Sequence, residues 1–343
     1  RDSFMVRSPV AAIVVPVYAT PENHRLDYLA QSLKSVQHQT YKDSVCVVVD
    51  NGSTIDIQQF LRDQKCDKLR YVRREHGPDD LDTASNPLNL GIDLCLRSSG
   101  DVFTSPEAAN LAAITYLHSD DIFTLDSVGR RIAALNDNDA FVHTNFIRIG
   151  SNNEYINVPR WSERNDNPLY NVVLGPLGHH TTLWTIEFAR ILTEYVSDTY
   201  GQNGIFDSRL SHGEDLDASL SGVEVAARVS KDIVHIPDIT YLYRTHNKSG
   251  AGNNFSRKYR RQQTKLLFSK HFSESDSAKL KRELYWRRLT INLPWSLTTH
   301  LPGRVKYHLR TVRDYIKENG PKRDITQEEL ESLESVLAIL DKR

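Results

Sequence analysis

Disulfide-forming residues, long apolar runs and net charge are all scarce in this sequence, and each scarcity narrows the class of protein. Only 3 of the 343 residues are cysteine, and none forms a CxxC pair, which argues against a disulfide framework or a zinc ribbon. No stretch approaches the roughly 18 apolar residues needed to span a bilayer. The formal net charge is −1, so the total charge points to no class of partner.

The remaining composition is that of an ordinary globular enzyme, with 39% hydrophobic and 25% charged residues. The few cysteines favour a reducing compartment, so we expect a cytoplasmic protein. The chain begins with Arg1 and its one methionine is Met5, which leads us to expect a piece of a longer protein.

Charge is distributed unevenly along the chain. Residues 257–323 hold 18 Lys and Arg against 5 Asp and Glu, whereas residues 324–343 hold 2 against 6. The residues before 257 are acidic on balance. This shift predicts an acidic body at 1–256 and a basic, mostly helical extension at 257–343.

The first half alternates between strand and helix patterns. Short, β-branched apolar runs predict buried strands, and Leu26, Leu29, Leu33 and Val36 recur at helical spacing. The four predicted strands lie at 11–17, 45–49, 69–72 and 114–117. Such alternation predicts an α/β fold with a mainly parallel sheet, in which ligands gather at the carboxyl ends of the strands.

Carboxylates follow two of these strands. The second ends at Asp50, and the fourth leads into His118-Ser119-Asp120-Asp121. Such groups can bind a base, a sugar or a hard cation, but Asp is also favoured in turns and as a helix N-cap. No GxGxxG, GxxxxGK[ST], HExxH or GxSxG motif is present. A nucleotide would therefore be held without a glycine cradle, and a metal on its phosphates is the natural substitute.

Two later segments also carry chemistry. Three acids in Gly213-Glu214-Asp215-Leu216-Asp217 begin a predicted helix, where they could simply compensate the helix dipole. After a strand predicted at 233–237, Arg244 and His246 fall on a predicted loop, a combination that suits anion binding and metal ligation.

In this order, the segments resemble the family 2 glycosyltransferases with a GT-A fold, a group of inverting enzymes that use nucleotide-diphosphate sugars. The resemblance covers roughly residues 11–250. The segments that carry it are Val15-Pro16-Val17-Tyr18, Ser32 to Tyr41, Val49-Asp50-Asn51-Gly52-Ser53-Thr54, Leu117-His118-Ser119-Asp120-Asp121, Gly204-Ile205-Phe206-Asp207, Gly213 to Asp217, and Tyr243-Arg244-x-His246-x-x-Ser249.

The resemblance implies a role for each matching residue. Asp215 would be the general base, with Glu214 second and Asp217 third. Asp120 would bind a divalent metal, Mn²⁺ or Mg²⁺, and His246 and His118 are further candidate ligands. The donor-binding residues would be Pro16, Val17, Tyr18, Asp50, Asn51, Ser119, Asp120 and Arg244, with Asp50 on the base, usually uracil, and Arg244 over the diphosphate.

The chain departs from the family pattern in three places. His118 stands where the first acid of an Asp-Ser-Asp-Asp motif is usual, which changes the charge of the site by one unit. Asn51 replaces a common second Asp. Residues 101–111 look like an insertion before the fourth strand.

The family builds its acceptor wall from the region that corresponds to residues 175–185. His179, His180 and Trp184 are candidate sugar contacts on this side. Trp184 could equally anchor the following helix, predicted at 186–196, in the core.

Two interpretations fit the basic extension. Residues 278–295 interleave apolar with cationic residues and include Trp286 and Trp295, which suits peripheral membrane contact and a lipid-linked or glycan acceptor at the inner face of the membrane. The other is a helical subdomain that packs on the acidic body. Residues 324–343 predict an amphipathic helix that could support homo-oligomers. No nucleic-acid motif accompanies the charge.

The predicted function is metal-dependent, inverting transfer of a hexose from a nucleotide-diphosphate sugar, UDP-linked by preference, in polysaccharide biosynthesis. One rival is a nucleotidyltransferase, although the loop at 19–23 has no glycine-rich, cationic signature. The other is a catalytically silent nucleotide-sugar-binding module, which the exchange at His118 makes plausible.

Overall fold

The computed structural model describes residues 8–23, 25–75, 84–159, 179–210, 213–246, 257–273, 275, 322–323 and 327–341. The strands are β1 Val10–Val17, β2 Ser44–Asn51, β3 Leu69–Arg74, β4 Leu111–Tyr116, β5 Ile122–Phe123, β6 Asp139–Ile149, β7 Tyr155–Pro159, β8 Leu183–Thr185, β9 Asp232–Arg244 and β10 Lys322–Arg323.

The helices are α1 Arg25–Gln37, α2 Ile57–Asp63, α3 Ser85–Leu96, α4 Ser105–Asn110, α5 Ser127–Ala133, α6 Ile186–Tyr200, α7 Glu214–Arg228, α8 Arg257–His271 and α9 Gln327–Asp341, with a 3₁₀ helix at His179–Thr181. Across the described ranges, every helix is too short or too polar to be a membrane span.

All ten described strands belong to one sheet, whose main path runs β10-β7-β6-β8-β4-β1-β2-β3. The N-terminal part is parallel, since β1 pairs with β2 and β4, and β2 pairs with β3. Antiparallel β8 then joins β4 to β6, and β9 runs parallel to β6. The predicted mixed, mainly parallel α/β fold is confirmed.

Burial explains why the first strands are continuous apolar runs. Every residue of β1 and β2 is buried, because helices cover both faces of the sheet. Helix α3 lies so close to β1 that a Cβ at Gly91 would come within 2.4 Å of a Val14 methyl carbon. Glycine is therefore the residue that lets this helix pack on the sheet.

Two strands differ in extent from the prediction. β4 begins at Leu111 because the preceding segment, predicted as an insertion, forms α4. The Glu107 side chain caps the first turn of this helix by accepting a hydrogen bond from the Thr104 amide (2.8 Å). β9 continues to Arg244 because it pairs with β6 up to the Ile149–Arg244 register. Arg244 is thus the last residue of a strand and not part of a loop.

The described parts of the basic extension pack on the body. Leu267 and Phe268 of α8 are buried in the same apolar cluster as the central sheet. Lys270 binds the fully buried carboxylate of Asp217 at 2.7 Å and 2.8 Å. The domain boundary at 256/257 stays a prediction, as does the membrane segment 278–295, which lies outside the described residues.

The C-terminal helix has its apolar face covered by the same chain. Leu333 and Val336 of α9 are buried in a cluster with Ile122, Ile147 and Leu242 of the sheet. These two residues of the apolar stripe therefore pack on the body, and self-association through the helix stays a prediction.

Candidate active site

The site lies where three neighbouring strands end. In the β1–β2 register, Val17 stands opposite Asp50, and the amide of Leu117 continues the β1–β4 pairing by donating to the Val14 carbonyl (2.9 Å). The polar segment from His118 onward therefore leaves the sheet at the same edge as Asp50, as expected for parallel strands.

Asp50 is fully buried and accepts three hydrogen bonds at this edge. The donors are the Ser53 amide (2.8 Å), the Tyr71 hydroxyl (2.9 Å) and the Arg73 guanidinium (3.0 Å). Of these, Arg73 is 42% exposed and is thus the partner most easily displaced. Base recognition by Asp50 stays a prediction, and it requires Arg73 to move.

The other predicted donor-binding residues differ in how much they present to a ligand. Pro16, Val17 and Ser119 are buried, whereas Tyr18 is half-buried. Asn51 is buried as well, and its side-chain oxygen accepts from the Arg74 guanidinium at 2.6 Å. In this set Tyr18 offers the most side-chain surface to a nucleotide.

Asp120 lies beside two cationic or potentially cationic groups. Its Oδ2 atom pairs with the Arg25 guanidinium and lies 3.0 Å from Nε2 of His246. Burial raises the pKa of Asp120, but Arg25 and His246 outweigh it and hold that pKa well below its usual range. The predicted approach of Asp120 and His246 is present, and Arg25 is a member of the site that the motif pattern does not contain.

Asp121 has a structural role that differs from that of its neighbour. Its buried carboxylate accepts from the Tyr241 hydroxyl and from the Arg244 amide, both at 2.7 Å. Burial and the charge of Asp120 raise its pKa to about 6. Asp121 therefore ties the turn after β4 to β9, while Asp120 faces the site.

The side chain of Arg244 is committed to protein atoms. It is 1% exposed and its guanidinium donates to the carbonyl of Asp120 (2.7 Å), to Asn153 (2.6 Å) and to Gln31 (2.8 Å), and lies 4.6 Å from the ring centre of Tyr28. This contradicts the expectation that Arg244 faces a diphosphate. The Arg244 side chain instead holds the backbone of Asp120, the candidate metal ligand.

Asp215 lies at the start of α7 and meets two imidazoles. His180 Nδ1 is 3.0 Å from Oδ2 of Asp215, and His118 Nε2 is 3.7 Å from Oδ1. Burial raises the pKa of Asp215, but the two imidazoles outweigh it and hold that pKa well below its usual range. The same pairing raises the pKa of His118 to about 9 against the opposite effect of burial.

His118 therefore pairs with the predicted base and not with the predicted metal ligands. We expected it beside Asp120 and His246, but its ring nitrogen points to Asp215 because Asp215 enters from α7 next to the strand that precedes His118. The Tyr116 hydroxyl, two residues earlier, also contacts Asp215 at 3.4 Å.

Glu214 and Asp217 differ from Asp215 in their surroundings. Burial and the charge of Asp215 raise the pKa of Glu214 to about 7, which is close to the value that suits proton transfer at neutral pH. Asp217 has no exposed surface and is bound by Lys270 and by His271 (2.8 Å), so it is a structural anchor.

The candidate acceptor residues divide in the same way. Trp184 is 3% exposed and stacks on Tyr116 in the main core, which contradicts a sugar contact and agrees with the core alternative. His180 is half-buried, with its ring parallel to that of Tyr243 at 4.8 Å. The side chain of His179 lies outside the described residues.

A buried arginine fixes the short helix that carries His180. Arg131 has no exposed surface, and it donates to the carbonyl of Thr181 (3.1 Å) and to the hydroxyl of Thr115 (2.8 Å). The Thr181 hydroxyl in turn donates to the Thr144 carbonyl at 2.9 Å. Hydrogen bonds therefore hold Thr181, the residue after His180, in place, although nothing in the sequence near Arg131 indicated this.

The fold is similar to that of GT-A glycosyltransferases of known structure. A crystal structure of S. aureus TarS superposes with a TM-score of 0.51 at 14% identity, covering 91% of this chain and 54% of that one. A structure of TarS 1-349 in complex with UDP gives the same TM-score and identity and covers 91% and 89%. At this identity the likeness shows the fold alone.

Residues 12–94 match the family model described as "Glycosyl transferase family 2". A protein of Rickettsia bellii described as an uncharacterized glycosyltransferase is 24% identical over 256 residues, which are 72% of this chain and 32% of that protein. A Rickettsia conorii protein with the same description is 24% identical over 249 residues, 70% of this chain and 35% of its own length. The chain thus spans about a third of the length of these curated relatives.

Proposed function

We propose that this chain transfers a sugar from a nucleotide-diphosphate donor to a hydroxyl of a glycan or lipid-linked acceptor, with inversion at the anomeric carbon. One observation carries the proposal. Two groups of side chains meet at the turn from His118 to Asp121, at the carboxyl edge of the sheet. One group is Asp120 with Arg25 and His246, and the other is Asp215 with His118 and His180.

The donor side has the residues that a divalent metal needs. The 3.0 Å between Asp120 Oδ2 and His246 Nε2 lets one ion reach both atoms, with diphosphate oxygens and water as the other ligands. The Asp120 oxygen also carries the ion pair with Arg25, which must yield to the ion. When bound, Mn²⁺ or Mg²⁺ would supply positive charge to the diphosphate leaving group.

Arg25 gives the donor side a charge of its own. Once released from Asp120, its guanidinium lies within reach of the diphosphate, where an arginine binds phosphate oxygens with two parallel hydrogen bonds. We therefore assign to Arg25 the phosphate contact that the family pattern suggested for Arg244. His246 and Asp120 orient the diphosphate, and Tyr18 and Asp50 are proposed for the nucleoside.

The donor proposed is a UDP-sugar. Asp50 and Asn51 end β2 beside Val17, where a base would lie at the sheet edge. The complex of TarS 1-349 with UDP is a structure of another protein with the same fold, and it supports the choice of UDP for the first assays.

Asp215 is proposed to take the proton of the acceptor hydroxyl as that oxygen attacks. General-base help of this kind contributes roughly 10²–10⁴-fold, and a single displacement needs no covalent intermediate. Glu214, with its raised pKa, is the second candidate for the same step. The ring of His180, stacked on Tyr243, is the proposed wall for the acceptor sugar.

The function is tested by incubating the purified chain with a panel of nucleotide sugars and Mn²⁺, and by following release of nucleoside diphosphate. Mn²⁺-dependent release from one donor supports the proposal. Tight binding of a nucleotide sugar without release or transfer would favour the silent binding module, and pyrophosphate formation from a nucleoside triphosphate would favour a nucleotidyltransferase.

We also propose a cytoplasmic protein that meets the inner face of the membrane through residues 278–295, in the service of polysaccharide biosynthesis. Flotation of the whole chain with anionic vesicles tests the contact. Flotation that falls when Trp286 and Trp295 are replaced by Ala supports it, and failure of the wild-type chain to float rejects it.

A further inference from the structure

A second set of potential metal ligands lies on the base side of the site. One ring nitrogen from each of His118 and His180 and one carboxylate oxygen of Asp215 lie within 4.8 Å of one another. Throughout the described residues, this is the one group of three or more such side chains that could hold an ion. Asp120 and His246 are not members of it.

We propose that His118, His180 and Asp215 form a binding site for a zinc-like transition metal, separate from the Mn²⁺ or Mg²⁺ site of the donor. Two imidazoles and one carboxylate are a ligand set that zinc uses when a fourth position stays open. Imidazole suits zinc and other late first-row metals, whereas Mg²⁺ and Mn²⁺ prefer oxygen ligands. The two sites therefore select different ions by ligand chemistry.

The distances agree with such a site. Tetrahedral zinc with ligands at about 2.0–2.2 Å has donor atoms about 3.3–3.6 Å apart. The Asp215 oxygens lie 3.0 Å from His180 and 3.7 Å from His118, which brackets this range. The two distances belong to different oxygens of Asp215, so the carboxylate would have to turn to present one oxygen to the ion.

The three ligands come from rigid and independent elements. His118 follows β4, His180 belongs to the 3₁₀ helix that Arg131 and Thr181 anchor, and Asp215 lies in the first turn of α7. Supporting contacts of this kind orient ligands and strengthen metal binding. The Tyr116 hydroxyl near Asp215 and the Tyr243 ring on His180 are further supports.

Occupancy of this site would have a consequence for transfer. A zinc ion would bind the carboxylate oxygen of Asp215 that is proposed to accept the acceptor proton. Zinc would therefore inhibit sugar transfer, and a chelator would restore the activity. This consequence rests on the proposed function, whereas the binding of zinc does not.

The test measures binding of Zn²⁺ to the whole chain by competition with a chromogenic chelator, and the visible spectrum of the Co²⁺-substituted protein. We expect one tight site with the intense visible bands of four-coordinate Co²⁺. His180→Ala and the milder His180→Gln should each weaken the zinc affinity by at least about tenfold, because even supporting residues cost 10–100-fold.

Two variants serve as controls. His246→Ala removes the imidazole of the donor side, and His235→Ala removes a half-buried histidine on β9, and both should keep the tight zinc site and the Co²⁺ bands. Zinc affinity that is unchanged in His180→Gln, or that falls equally in His246→Ala, overturns the proposal. Absence of a tight site in the wild-type chain also overturns it, whether or not the chain proves to be a transferase.

Discussion

The two halves of the candidate site are each centred on one carboxylate, Asp120 or Asp215, and the basic side chains beside these two carboxylates differ. Asp120 has Arg25 and His246, while Asp215 has His118 and His180. An arginine stays charged at every accessible pH, whereas the pKa of His118 is raised to about 9, so its charge is lost in alkaline solution. The positive charge of Arg25 beside Asp120 is thus permanent, and that of His118 beside Asp215 depends on pH.

The largest effect is expected on the base side. Asp215→Asn should lower turnover by roughly 10²–10⁴-fold with little change in donor binding, because the amide cannot accept the acceptor proton. Turnover is measured by nucleoside diphosphate release and donor binding by calorimetry. The matched control is the same exchange, Asp to Asn, at the partly exposed Asp238 of β9.

Glu214→Gln separates the two adjacent candidates. It should reduce turnover much less than Asp215→Asn does. If Glu214→Gln caused the larger loss, the base would be the residue whose pKa is raised to about 7, and Asp215 would serve to position it.

The same kind of change on the donor side should have a different signature. Asp120→Asn removes the carboxylate that a divalent ion would share with His246, so we expect the Mn²⁺-dependent part of UDP affinity to fall by about tenfold or more. Titration of UDP with and without Mn²⁺ measures this part. Equal Mn²⁺ dependence in Asp120→Asn and in the control Asp126→Asn would remove Asp120 from the metal site.

Arg25→Met should act in the opposite direction on the metal. Its guanidinium pairs with the oxygen that a metal would bind, so its removal should strengthen Mn²⁺ binding several-fold. Metal-free UDP affinity should fall. The free-ion electron paramagnetic resonance signal reports the Mn²⁺ affinity. Substitution of Arg97, an exposed arginine directly after α3, by Met should leave this affinity unchanged.

The smallest expected effect concerns the support of the base side by α8. Asp217 and Glu224 raise the pKa of His271 against the opposite effect of burial. The resulting stabilisation is complete below the ordinary histidine pKa of about 6.5 and is lost as the pH rises through the folded value.

His271→Gln should therefore flatten the fall in unfolding free energy above about pH 6.5. Urea unfolding between pH 5 and 9 measures it, and substitution of His38, an exposed histidine directly after α1, by Gln is the control. An identical pH profile in His271→Gln and in the wild-type chain would show that the pair with Asp217 does not titrate with folding.

Local pattern was sufficient to predict the parallel part of the sheet, whereas β5 to β8 and β10 were not predicted. Continuous β-branched runs identified β1 and β2 because strands covered on both faces carry no polar alternation. β4 was placed about three residues too late, since the capped helix before it was interpreted as an insertion. β9 was predicted too short, because Pro237 and Asp238 were interpreted as the end of the strand, whereas pairing with β6 and β5 continues beyond them.

The site was predictable only in part. The motif order identified Asp50, Asp120, Asp215 and His246, which the fold brings to one edge. Arg25 carried no signal, because its ion pair with Asp120 joins residues 95 positions apart. The direction of a side chain was equally invisible in the sequence, so Arg244 and Trp184 were assigned to ligands although the fold buries both.

The position of α9 has a consequence for biosynthesis. Its Leu333 and Val336 pack against Ile122 and Ile147, so this apolar cluster joins segments that are far apart in the chain. Because the chain is synthesised from its N-terminus, the apolar surface around Ile122 and Ile147 stays uncovered until α9 has emerged from the ribosome.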